Sequence, residues 1–232
     1  MSGSIENQSS FLKEVAKKLG HNDISAPERP VWHHQPQFSV LNACSPEQLR
    51  EHMTRVSGVT HAKTVETTCN DLDRVLEQMI DEYGGGSIVA TQDERFETLE
   101  LKNLLERHHV FQWDPNVGKH CIDRAAAANI GLSICDVMLA ESATAGFFND
   151  AYKARSVNLL PTVSLVIVPQ SAIVPRLTQA TSRMQALAEQ GQLTSPYVNF
   201  ISGPSNSADI EMRLVVGVHG PVKLAYVIVC DR

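Results

Sequence analysis

NDLDRVLEQMIDEYGGGSIVA, residues 70–90, carries one complete step of an alternating fold. Leu72, Val75, Leu76, Met79 and Ile80 recur at i, i+3 and i+4, the spacing that gathers apolar side chains on one helical face. Asn70 suits the helix cap, Gly84-Gly85-Gly86 breaks the helix, and Ser87 to Ala90 reads as a short buried strand. The pattern repeats outward in both directions. Upstream, Ser45-Pro46-Glu47-Gln48 is a capping box with Pro in the first helical position. It predicts a helix to about Val56 that buries Leu49, Met53 and Val56, then a strand within His61 to Thr67. Downstream the sequence predicts a helix within Arg95 to Arg107, a strand His109 to Trp113, a helix Lys119 to Asn129 and a strand Leu132 to Leu139. Helices alternating with short apolar strands predict a Rossmann-like layered α/β domain with a largely parallel sheet.

The remainder is less regular. Thr144 to Pro161 reads as antiparallel, with Gly146-Phe147-Phe148, a polar turn, and a strand Ser156 to Leu160. A buried strand Leu165 to Val168, a helix Pro175 to Gln190, a strand Val198 to Ile201 and a short helix Ser207 to Arg213 follow, and Val215 to Val218 and Leu224 to Val229 close the fold. At the other end, Phe11, Leu12, Val15, Ala16 and Leu19 make an amphipathic helix that Gly20 stops. Pro27, Pro30 and Pro36 turn residues 22–40 into an irregular extended arm carrying Trp32, suited to docking on another surface or on a second copy of the chain. The expected organisation is an arm over residues 1–40 and an α/β domain over 41–232.

Composition removes several function classes. No apolar run approaches the roughly 18 residues of a membrane span, and the N-terminus has neither the basic stretch nor the apolar core of a secretory signal, so the expected compartment is the cytoplasm. A net charge of -6 gives no long-range attraction for nucleic acid. The five cysteines form no C-x-x-C, and the adjacent pairs His33-His34 and His108-His109 project to opposite sides of an extended chain. The expectation is therefore no metal and no cofactor in this chain.

Four places hold candidate ligand-binding residues. The loop 201–211, with Ser202, Gly203, Ser205, Asn206, Ser207 and Asp209, lies between a predicted strand and a predicted helix. At the carboxyl edge of a parallel sheet such a loop would aim backbone N–H groups at a small anion, although its serines can equally serve only to cap and turn the chain. His219, between Gly217 and Pro221, holds a proton-exchanging ring at a strand end. Glu141 and Thr144 lie just past another strand, and Arg155 can grip a carboxylate or phosphate with two parallel hydrogen bonds. If the loop follows a central strand, Glu141, Arg155 and His219 should converge on it in one polar pocket.

Seven blocks carry a resemblance: Arg29 to His33, Glu82 to Gly86, Asp93 to Phe96, Asp136 to Ser142, Arg155 to Pro161, Ser202 to Glu211, and Gly217 to Pro221. In order and spacing they resemble the lactate utilization protein C family, whose members are stand-alone LUD domains. The resemblance implies a fold similar to the sugar-phosphate isomerase and CoA-transferase superfamily. It also implies an accessory role beside two iron–sulfur proteins that oxidise L-lactate to pyruvate, with the clusters on those partners. Two positions depart from the family pattern: Ala143 stands where glycine is usual, and Ser164 where a polar aromatic residue is usual. Glycine permits positive φ and close approach of a ligand, so residues 141–144 are weaker candidates than 202–209. Three functions stay open: an accessory subunit, an enzyme acting on a small carboxylate, phosphate or acyl-thioester at the loop, and a metabolite sensor that signals through its arm.

Overall fold

The computed structural model describes residues 5–21, 24, 30–193, 195, 197–209 and 212–232, which group into two units, 1–35 and 36–232. The first unit holds α1 (Gln8–Lys18), closed by Gly20 at φ 77°. None of its residues is buried within that unit, and Phe11 and Leu19 are more than half exposed. Arg29 and part of the expected arm lie outside the described residues.

The second unit runs α2 (Pro46–Val59), β1 (Lys63–Thr67), α3 (Leu72–Glu82), β2 (Ile88–Ala90), α4 (Arg95–Thr98), α5 (Lys102–Arg107), β3 (Phe111–Gln112), α6 (Lys119–Ala127) and β4 (Ile130–Ile134). It continues with β5 (Val137–Leu139), β6 (Thr144–Asn149), α7 (Ser156–Leu159), β7 (Val163–Pro169), β8 (Ile173–Val174), α8 (Leu177–Glu189), β9 (Tyr197–Ser202), β10 (Asn206–Ser207), β11 (Val215–Val216) and β12 (Lys223–Val229). The capping box forms as expected: Ser45 Oγ accepts from Gln48 N, and Ser45 N donates to Gln48 Oε1 at 2.8 Å.

Six strands make the central sheet in the order β1-β12-β7-β4-β2-β3, and every adjacent pair is parallel. On one face α3, α4 and α5 pack on Ile88, Leu132, Leu165 and Val227. On the other, α2 and a second sheet of order β8-β5-β6-β9 cover Val166, Val168, Tyr226 and Ile228. Because both faces are covered, β7 and β12 read as near-continuous apolar runs, interrupted in β7 by Ser164, rather than as alternating ones.

The structure corrects five sequence expectations. The helix expected within Arg95 to Arg107 is two helices, interrupted where Glu100 turns to φ 56°. Asn70 falls in a single 3-10 turn ahead of α3 and supplies no cap. The strand expected from Leu132 to Leu139 is two strands in different sheets. At the joint Cys135 N still donates to Ile167 O of the central sheet, whereas Asp136 N donates to Gly146 O of the second. Ser156 to Leu160 is the helix α7 rather than a strand, and the antiparallel partners of β6 are β5 and β9. Finally, Ser207 does not open a helix: β10 pairs antiparallel with β11.

Candidate functional site

The loop that leaves β9 is stitched to the turn that precedes β12. Ser205 N donates to Pro221 O at 2.9 Å, and Gly217 N donates to Ser205 O at 2.8 Å. Gly203 sits at φ 69°, where a Cβ would overlap the carbonyl oxygen of Thr60, so the backbone passes closer than any larger residue allows. Between loop, turn and α7 lies a cavity of about 360 Å³ whose walls include Asn158, Phe200, Ser205, His219 and Leu224. Asn158 is 1 % exposed, and Ser133 Oγ donates to its Oδ1 at 2.6 Å, which fixes the orientation of the amide.

This cavity lies at the amino edge of the central sheet, where β7 and β12 begin, since Val222 N bonds Thr162 O just ahead of both strands. The sequence reading placed the loop at the carboxyl edge. The difference arises because β9 belongs to the second sheet, and its carboxyl end therefore need not meet the carboxyl ends of the central strands. Among the described residues the loop runs into β10 and no helix follows it, so the expected aim of a helix dipole at an anion is not found there.

Ser202, Gly203, Ser205, Asn206 and His219 line the cavity together, whereas Glu141, Thr144 and Arg155 do not. Glu141 Oε2 accepts from Arg176 Nε at 2.7 Å. Arg155 lies over the Tyr197 ring, 5.8 Å from its centroid, at the far end of β9 from Ser202. Thr144 is buried beside Ser202 in the β6–β9 pairing and shares a 2.7 Å hydrogen bond with Ser142 Oγ. Ser207 pairs with Val215, and its Oγ accepts from the backbone of the exposed Asp209. Convergence thus holds for His219 and not for Glu141 or Arg155.

Ala143 adopts φ 48° while fully buried, a left-handed conformation that costs a non-glycine residue about 1–2 kcal/mol. Its carbonyl accepts from Tyr226 Oη at 2.8 Å. Burial pushes the Tyr226 phenol well above its ordinary pKa, so the hydroxyl remains a donor. Tyr226→Phe should therefore cost about 1–3 kcal/mol in urea unfolding, the penalty for stranding a buried carbonyl. An unchanged midpoint would show that Ala143 does not depend on this bond.

A second group of polar residues, not weighed as chemistry in the sequence, gathers at the carboxyl edge. Successive central strands reverse direction across the sheet between β2 and β4, and in open α/β sheets the crevice at such a reversal is where ligands bind. Arg95 fills it. Its Nη2 lies 2.6 Å from Asp93 Oδ2 and 2.8 Å from Asp136 Oδ1, and its guanidinium also donates to the carbonyls of Ile134 and Cys135. Burial alone would raise the Asp93 pKa, but the hydrogen bonds and charge of Arg95 outweigh it and hold the carboxyl below its usual range. Asp136 Oδ2 accepts from Phe148 N at 2.6 Å, and Lys153 Nζ lies 3.5 Å from Oδ1. These contacts clamp the end of β2 to the joint between the two sheets. The signal was present in the sequence: Asp93 and Asp136 each stand two or three residues beyond an apolar strand.

Residues 47–229 match the family model of the LUD domain. The chain belongs to the LUD-domain family. Proteins named lactate utilization protein C are similar to this LUD domain over almost its whole length. That of Geobacillus sp. (strain WCH70) is 43% identical over 237 residues, covering 99% of this chain and 98% of the relative. That of Bacillus subtilis (strain 168) is 40% identical over 244 residues, covering 99% of each. A crystal structure of a DUF162 family protein from Deinococcus radiodurans superimposes with a TM-score of 0.60 at 17% identity, covering 80% of this chain and 99% of that one. This likeness bears on the fold alone. Among the described residues of the LUD-domain chain, no three His, Cys, Asp or Glu side chains group as metal ligands. No helix among them is long and apolar enough to cross a membrane.

Proposed function

We propose that this chain is an accessory component of a system that oxidises L-lactate to pyruvate, acting in the cytoplasm beside two proteins that carry the iron–sulfur clusters. The observation that supports it most is the end-to-end similarity, near 40% identity, to proteins named lactate utilization protein C. A component of this kind would contribute assembly or metabolite binding and leave electron transfer to its partners. Deleting its gene in cells that retain both partner proteins should abolish growth on L-lactate and lactate-dependent electron transfer, and reintroducing it should restore both. Undiminished growth of the deletion strain overturns the reading.

A second reading, that the chain itself binds a small molecule, is favoured by the amino-edge cavity. It brings together five candidate residues taken from two separate segments of the sequence.

A further inference from the structure

Two unpartnered polar groups lie at or next to the lining of the amino-edge cavity. Asn158 Oδ1 is committed to Ser133 Oγ, while its Nδ2 has no hydrogen-bond partner among the described residues, although the side chain lines the cavity and is 99% removed from solvent. Ser164 does not itself line the cavity, but its Oγ is buried and also lacks a partner. Ser164 stands in register with Leu224 of β12 on one side and Gly131 of β4 on the other, and so shares the face of the sheet to which the cavity-lining Leu224 belongs. Buried donors left unbonded cost free energy, and such a pair, one lining the cavity and the other next to the lining residue Leu224, is a place where a ligand's acceptor recovers that cost.

The walls decide what kind of acceptor. Among the described residues that line the cavity there is no Lys, Arg, Asp or Glu, so no fixed charge balances a phosphate or a free carboxylate. Burying an ion without a partner is far more costly than burying a neutral carbonyl. Leu159, Phe200 and Leu224 add an apolar wall. A volume of about 360 Å³ falls in the range of small-molecule sites rather than that of a single water.

From this geometry we infer that the cavity binds an uncharged, partly apolar small molecule, which points an amide- or ester-type carbonyl at Asn158 Nδ2 and Ser164 Oγ. The inference rests on the small-molecule reading above and narrows it: the loop takes a neutral carbonyl compound, not the anion that its serines suggest.

The test is a two-dimensional ¹H–¹⁵N NMR titration of the full chain with three probes: benzamide, benzoate of the same shape but charged, and inorganic phosphate. Benzamide should shift the Asn158 side-chain amide and the backbone amides of Gly203 and Gly220 saturably, with benzoate at least tenfold weaker and phosphate without effect. Ser164→Ala, which removes a hydroxyl and leaves the shape, should weaken benzamide at least threefold, and Asn158→Leu should weaken it further. Should Asn158→Leu fail to fold, Ser164→Ala carries the test. Tighter binding of benzoate or phosphate at these amides overturns the neutral class and keeps the small-molecule reading. No response to any probe overturns both, and benzamide binding that is unchanged in Ser164→Ala overturns the assigned pair of donors.

Discussion

Arg95→Met should destabilise the domain by about 3–5 kcal/mol, the range for breaking a buried ion pair by removing one partner. The side chain is replaced by one of similar length, so packing against the end of β2 is largely kept and the lost term is electrostatic. Asp93 and Asp136, with side chains only 5% and 11% exposed, would face each other without the cation that now lies within 2.8 Å of both. The two carbonyls of Ile134 and Cys135 that the guanidinium serves would also lose a donor.

The pH dependence gives the sign. Asp93 has a depressed pKa in the folded protein, so the stability it contributes is present above the unfolded value of about 3.9 and is lost as pH falls through the folded value. Without Arg95, only the charge of Lys153 still opposes burial, and the Asp93 pKa should rise above the unfolded value. The gap between wild type and variant should then be widest near neutral pH and narrow as pH approaches 3. Urea unfolding followed by Trp113 fluorescence at several pH values measures it. A gap that stays constant or widens in acid would show that Arg95 acts through packing and not through these carboxylates.

Gly131→Ala should cost about 3 kcal/mol, at the upper end of the usual penalty for overpacking a core. Gly131 lies in the middle of the buried β4, where extended backbone suits any residue and alanine would otherwise gain from reduced chain entropy. The obstacle is space. A Cβ there would overlap the Val157 carbonyl oxygen and come within 2.9 Å of Pro161 Cγ, and the first of these is backbone of α7, which cannot rotate away. Relief requires α7 to lift from the sheet, taking Asn158 with it and breaking the hydrogen bond from Ser133. Gly58→Ala, on an exposed turn of α2 with nothing within 4 Å of its Cβ, is the matched control and should raise stability by roughly 0.5–1 kcal/mol. Equal unfolding midpoints for Gly131→Ala and wild type would mean that α7 is not held down by this contact.

The same contact explains why the fate of Ser156 to Leu159 was not legible beforehand. Its four residues carry no helical stripe, and they become a helix because Gly131 lets their backbone approach the sheet. The Asp93–Arg95–Asp136 clamp was half legible. Each carboxylate follows an apolar strand, but that the two strands are neighbours depends on sheet order. The amino-edge cavity was legible in its residues and not in its location: Ser202, Ser205, Asn206 and His219 were singled out together, yet were expected at the other edge.

What the sequence by itself determined is everything carried by short-range periodicity and by matched blocks. It includes the α3 stripe with all five of its apolar residues buried, the Ser45 capping box, the alternation that makes the central sheet parallel, and membership of the LUD-domain family. Only the tertiary structure decided which strands share a sheet, and with that which loop ends meet. Residues 130–139 show the reason. Every residue of β4 and of β5 is buried, and the partly exposed Asp136 between them marks a break without saying which sheet the chain enters next. That passage is set by hydrogen bonds to Gly146 in the next strand and to Ile167 of β7, and no local pattern encodes a partner as distant as Ile167.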